Sequence, residues 1–171
     1  MNITMIARRS LLIGLIGSAS LVTVRATSTT DVYAPLRLYE GAWQVTQTTP
    51  APKKPRKPDR VINDCAQIGR YFACQQTVNG KPGALLIFIP ASPGRYHTQV
   101  VQADGAALGQ PGSLSISGDH WVYLSGPDSK GIRYRTTNEF EGPDRIRYAV
   151  AHSSDGKRWT VTLAGVEKRA H

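Results

Sequence analysis

Catalytic signatures are what this 171-residue sequence most plainly lacks. It holds no His-Glu-x-x-His, no Gly-x-Ser-x-Gly, no phosphate-cradling glycine loop and no zinc-spaced cysteine set. The familiar zinc hydrolase, serine hydrolase and nucleotide-binding classes are therefore excluded. Histidines are few and scattered: His97, His120, His152 and the terminal His171 have no cysteine or acidic partner at ligand spacing. His120 follows Asp119, but neighbours along a strand point to opposite faces. We expect no metal, no cofactor and no catalytic residue, and the chain reads as non-enzymatic. After residue 41 no segment carries a helical repeat long enough to cross between parallel strands, which argues against an α/β fold. Nucleic acid is not an expected partner, because no basic patch interleaved with stacking aromatics lies outside a single loop.

The start of the chain has the three parts of a secretory signal peptide. Met1 to Arg9 is basic through Arg8 and Arg9, Leu11 to Val24 is apolar or small, and Val24-Arg25-Ala26 offers small residues for cleavage. An apolar run of this length falls short of the roughly twenty residues that cross a bilayer as a stable helix, so a signal anchor is the weaker reading. Arg8-Arg9-Ser10-Leu11-Leu12 also resembles a twin-arginine signal, with Ala7 where Ser or Thr is usual, and both export routes stay open. The expected organisation is a signal peptide at 1–26, a lead-in at 27–40 and one domain at 41–169. The expected location is periplasmic or secreted. The formal charge of +9 falls to +6 once Arg8, Arg9 and Arg25 are removed.

Cysteines number only two, Cys65 and Cys74. In an exported chain an even count reads as a disulfide. Ile68-Gly69-Arg70-Tyr71 fits a two-residue type II′ hairpin turn, and counting outward places Cys65 opposite Cys74. That pair falls at a non-hydrogen-bonded site, where the two Cα atoms lie closest. Two buried free thiols are the alternative.

Turn signals recur through the rest of the chain. Asn79-Gly80 is a type I′ signal that pairs Val78 with Lys81 and Thr77 with Pro82. Further turns are expected at Pro93-Gly94, Asp104-Gly105, Pro111-Gly112, Gly118-Asp119, Gly126-Pro127, Gly142-Pro143 and Asp155-Gly156. The segments between them read as strands, and Ala84 to Ile89 reads as one buried on both faces. Nine or ten strands joined by tight turns make a meander, and a long meander closes on itself to remove its edges. The expected fold is all-β, an antiparallel up-and-down β-barrel; a two-sheet sandwich is the alternative.

Gly41-Ala42-Trp43 at the first strand and Lys168-Arg169 at the last resemble the lipocalin and calycin barrels. There, a Gly-x-Trp on the first strand is covered by a basic side chain from the end of the barrel. The resemblance implies barrel closure by Trp43 and Arg169, with the guanidinium over the indole as a cation–π contact. Asn63-Asp64-Cys65, the run Phe72 to Lys81, and Ser153 to Trp159 also resemble uncharacterised secreted bacterial proteins of lipocalin-like type, a likeness that implies no activity. The chain departs from typical lipocalins in its disulfide position and in having no long helix beside the barrel.

Alternation supplies the candidate site. Ile146, Tyr148, Val150 and His152 share a face, as do Tyr96, Thr98 and Val100. Ile132, Tyr134, Thr136, Asn138 and Phe140 share another, with Arg133 and Arg135 opposite, and Trp159, Val161 and Leu163 a fourth. If these faces point inward they enclose a mixed apolar and hydroxyl-lined space suited to a small hydrophobic or amphipathic ligand, with Tyr96, Tyr134, Asn138 and Tyr148 as its contacts. A barrel simply filled by those side chains is the alternative. It would suit a loop-mediated inhibitor or adhesion-type protein; a third reading is a cyclase or isomerase in which Tyr148, Arg135 and Asn138 converge. The loop Pro50 to Arg60 holds five basic residues and one acid. Its prolines keep the chain extended, so Lys53, Lys54, Arg56 and Lys57 are expected to meet an anionic surface. A monomer is expected.

Overall fold

The computed structural model describes residues 31–54, 56–107 and 109–171. The signal-peptide reading of residues 1–26 lies outside them. Ten strands follow one another as an antiparallel meander: β1 (Gly41–Thr49), β2 (Asp59–Ile68), β3 (Tyr71–Val78), β4 (Lys81–Ser92) and β5 (Arg95–Gln102), then β6 (Gly112–Ser117), β7 (His120–Leu124), β8 (Arg133–Phe140), β9 (Arg145–Ser153) and β10 (Thr160–Arg169). Each strand pairs with its neighbours in sequence, and β1 pairs with β10, so the sheet is a closed barrel. Closure satisfies the backbone donors and acceptors that an open sheet leaves at its edges.

The turns behave as their residues require. Asn79 and Gly80 both have positive φ, 53° and 76°, as a type I′ turn demands. Gly69 has φ 58° at the first central position of the β2–β3 turn. The register that follows pairs Ile68 with Tyr71 and Cys65 with Cys74, and these cysteines form a disulfide across a Cα separation of 4.0 Å. Closing so short a loop contributes about 2–3 kcal/mol in the chain-entropy model. Replacing both cysteines with alanine is expected to lower the free energy of unfolding by that amount, measured by urea titration. A double variant as stable as the parent would remove the disulfide from the account of stability.

Strand direction gives the barrel two unlike ends. Tight turns at residues 69–70, 93–94, 118–119 and 141–144 gather at one end, here the base. A short 3-10 helix, Pro35–Tyr39, lies before β1 at the same end, with Leu36 only 1% exposed. The opposite end, the mouth, carries the loops β1–β2, β3–β4, β5–β6, β7–β8 and β9–β10. The core concentrates at the base, where Tyr33, Leu36, Trp43, Phe72, Trp121 and Ile146 are all buried. Tyr33 stacks on Phe72 with ring centroids 5.8 Å apart, and Trp121 meets Phe140 at 4.6 Å.

Two strand expectations are corrected. Ala84 to Ile89 is not buried on both faces: Phe88 points inward and is buried, whereas Ile89 is 48% exposed. In a closed barrel every strand keeps an outer face, so two-sided burial requires a covering layer that this end of β4 does not have. Trp159, Val161 and Leu163 do not form one inward face either. Trp159 precedes β10 and stacks against Arg135 at 4.6 Å, Val161 is half exposed, and the register shifts between Val161 and Leu163. An irregularity of that kind breaks the alternation on which the reading rested.

Candidate functional site

The base is sealed by the pair at the two chain-distant strand ends. Trp43 is fully buried and Arg169 lies directly opposite it in the β1–β10 register, with the guanidinium 4.3 Å from the indole ring. The same guanidinium donates to the carbonyls of Glu40 (2.8 Å), Leu38 (2.9 Å) and Pro143 (3.0 Å) and pairs with the Asp144 carboxylate at 3.1 Å. It thereby ties the lead-in, the β8–β9 turn and β10 together. Gly41 makes room for it: φ is +104°, and a Cβ there would meet Arg169 Nη1 at 3.0 Å. The indole Nε1 donates to the Tyr39 carbonyl at 3.0 Å, and Asn63 Nδ2 donates to the same oxygen at 3.1 Å.

Above this seal lies a cavity of about 220 Å³. It runs from Tyr39 on the plug, past Phe88, Trp121 and Asn138, to Gln76, Val100 and Thr136 in the mouth half. Leu86, Leu114 and Tyr123 complete a wall that is mainly apolar. Drug-sized pockets start at about 300 Å³, so this space suits a small molecule. Three lining residues carry a buried polar atom with no protein hydrogen-bond partner: Thr98 Oγ1, Trp121 Nε1 and Asn138 Oδ1. The Thr98 hydroxyl lies beside that of Tyr123 without hydrogen-bond geometry, near enough to offset in part the rise that burial imposes on the Tyr123 pKa. Trp121 and Asn138 face each other across β7 and β8. The two residues that carry the unpaired indole N–H and the unpaired amide oxygen are therefore cross-strand partners.

The four expected contact residues stand at different heights. Asn138 lines the cavity. Tyr96 is 2% exposed at the base end of β5, and its hydroxyl donates to the Val32 carbonyl, so it belongs to the core around the plug and is not among the lining residues. Tyr148 pairs with Asn138 in the β8–β9 register, and its ring lies over Gly165, where a Cβ would come within 2.6 Å of the hydroxyl. It too stands outside the cavity wall. Tyr134 is at the mouth, opposite His152, and is 41% exposed. Arg135 stacks on Trp159 and does not converge with Asn138 and Tyr148. Lys53, Lys54, Arg56 and Lys57 are exposed on the β1–β2 loop, and Arg56 pairs with Asp59 at 2.9 Å.

One interior residue went unread in the sequence. Glu167 is 7% exposed, lies opposite Val45 and Ile146, and leaves its Oε2 without a partner. Burial pushes its pKa up to about 7. Burial and then the Glu167 charge raise the pKa values of Tyr39 and Tyr148 as well. The signal was present: Glu167 stands two residues before Arg169 and shares its face. Among the described residues no cluster of three metal-ligating side chains occurs, and no helix is long and apolar enough to cross a membrane.

No protein-family model matches the chain, and no curated protein matches it. Among solved structures, the crystal structure of Rv2717c from M. tuberculosis is 17% identical, with a TM-score of 0.50, covering 82% of this chain and 98% of that one. The likeness is one of fold. The ten-strand closure and the Trp43–Arg169 contact are the two features that the lipocalin and calycin resemblance led us to expect. The structure of EF1p2_mFAP2b bound to DFHBI is also 17% identical and covers 79% of this chain and 96% of that one, at a TM-score of 0.34.

Proposed function

We propose that this barrel is an exported, non-enzymatic binding protein for a small hydrophobic or amphipathic molecule. The cavity over the Trp43 seal carries the reading, because an interior built only for stability would be filled. Its wall supplies apolar area, and the cross-strand partners Trp121 and Asn138 supply one free donor and one free acceptor. A hydroxyl or carboxyl group on the ligand can meet both. Asn138 is the principal contact, Tyr134 stands where a ligand would enter, and Tyr96 and Tyr148 hold the surrounding wall. The Cys65–Cys74 disulfide supports a periplasmic or secreted location, since such bonds persist in oxidising compartments.

The test uses N-phenyl-1-naphthylamine, a neutral dye whose fluorescence rises in apolar surroundings. It should bind and be displaced by decanol. Leu86→Trp, which fills the cavity, should abolish the signal. Asn138→Leu should weaken decanol by about five- to tenfold, the worth of one hydrogen bond, while raising stability by about 1–3 kcal/mol through loss of an unpaired buried oxygen. Dye binding that survives Leu86→Trp unchanged would place the site elsewhere and defeat the proposal, as would no binding at all.

A further inference from the structure

The barrel is electrically polar along its axis. Divided at mid-height, the described residues place eleven basic and four acidic side chains in the mouth half and seven and eight in the base half, giving +7 and −1. The Pro/Lys loop is only part of this. Lys81 extends the mouth charge at the β3–β4 turn, Lys130 and Arg133 at the β7–β8 loop, and Lys157 and Arg158 at the β9–β10 loop.

Pairing sharpens the contrast. Five of the seven ion pairs among the described residues belong to the base: Arg37–Asp31, Arg145–Glu141, Arg147 with both Glu139 and Glu141, and Arg169–Asp144. The mouth has two, Arg56–Asp59 and Arg158–Asp155. Nine of the eleven mouth cations thus form no ion pair among the described residues. The base neutralises itself, and the mouth does not. A ten-strand barrel is about 20 Å across, from strand spacing and tilt. Its mouth cations therefore lie within about two Debye lengths of one another at 0.1 M salt and act together on a flat charged surface.

We infer that the protein docks mouth-first on an anionic lipid bilayer. A bilayer is flat and presents negative charge over the whole width of the mouth, so loops on opposite walls can engage at once; clusters of four to eight exposed basic residues, as a rough guide, suffice for such attraction. The mouth offers little apolar surface for insertion, with Tyr134 and Val161 its two exposed large hydrophobic residues among those described. The contact is electrostatic and reversible. It uses the outer loops and stands whether or not the cavity holds a ligand.

Flotation with large vesicles tests it. At about 50 mM NaCl the full chain should bind vesicles of phosphatidylcholine with phosphatidylglycerol and not pure phosphatidylcholine, and at about 300 mM it should release, as screening requires. Lys57→Gln/Lys130→Gln/Lys157→Gln, one change on each of three loops, should weaken binding by on the order of a hundredfold at low salt. Arg70→Gln/Arg95→Gln/Lys168→Gln removes three unpaired base cations and should leave binding within about twofold, because the base then lies a barrel's length from the surface. Leu86→Trp should bind vesicles like the parent, which keeps this result separate from ligand binding. Equal losses for the two triple variants would overturn the orientation, and no binding to the anionic vesicles at low salt would overturn the docking itself.

Discussion

Trp43→Ala is expected to lower the free energy of unfolding by about 3–5 kcal/mol, the range for deleting a large buried aromatic side chain. The expectation follows from position as much as from size. Trp43 is fully buried, anchors the plug through its Nε1 bond to Tyr39, and is the surface on which Arg169 stacks. Arg169→Lys keeps the charge but loses the planar fork that reaches three carbonyls and a carboxylate, and should cost about 1–3 kcal/mol. The two residues share one set of contacts, so the double change should cost less than the sum of the singles. Urea titration of the three variants measures all of this. A Trp43→Ala protein within about 1 kcal/mol of the parent would show that the seal is not what holds the base together.

Glu167 should make the protein more stable in mild acid than at neutral pH. Its folded-state pKa of about 7 stands above the ordinary 4.5, so the folded chain keeps a proton that the unfolded chain releases. The stabilisation is complete below about pH 4.5, declines as pH rises toward 7, and is gone above that. The whole effect is about 3 kcal/mol at 1.4 kcal/mol per unit. Glu167→Gln removes the titration and should be the more stable protein at pH 8. The difference between parent and variant isolates Glu167 from Asp155, whose lowered pKa, set by hydrogen bonds from the Arg158 and Lys157 backbone N–H groups, acts at lower pH. Parallel stability curves for the two proteins across pH 4.5–8 would mean that the carboxyl is hydrated or paired in solution.

The architecture was legible because its signals are local. Two adjacent positive-φ residues at Asn79-Gly80 and a glycine at position 69 fix hairpin registers, and a register fixes which cysteines meet. The Trp43–Arg169 contact spans most of the chain, yet it could be read because closure of a meander brings its two ends together. Depth within the barrel was not legible. Alternation tells which side of a strand a residue faces but not how high it stands, since height depends on strand stagger around the whole sheet. Tyr96, Asn138, Tyr148 and Tyr134 all face inward, but Asn138 alone lines the cavity. The plug was missed as part of the core for another reason. Leu36 and Tyr39 lie in a five-residue helical turn, too short to show a hydrophobic period.

The β1–β10 seam also shapes how the molecule comes together. Trp43 pairs with Arg169 and Val45 with Glu167, among the longest sequence separations the domain contains. Contacts so distant along the chain close late and slowly, so assembly should be limited by this last pairing and not by any hairpin. Until it forms, β1 and β10 each present an unpaired edge to other molecules. A chain cut short before β10 keeps nine strands' worth of local signals and loses the one pairing that shields them, which makes it a candidate for aggregation and not for partial function.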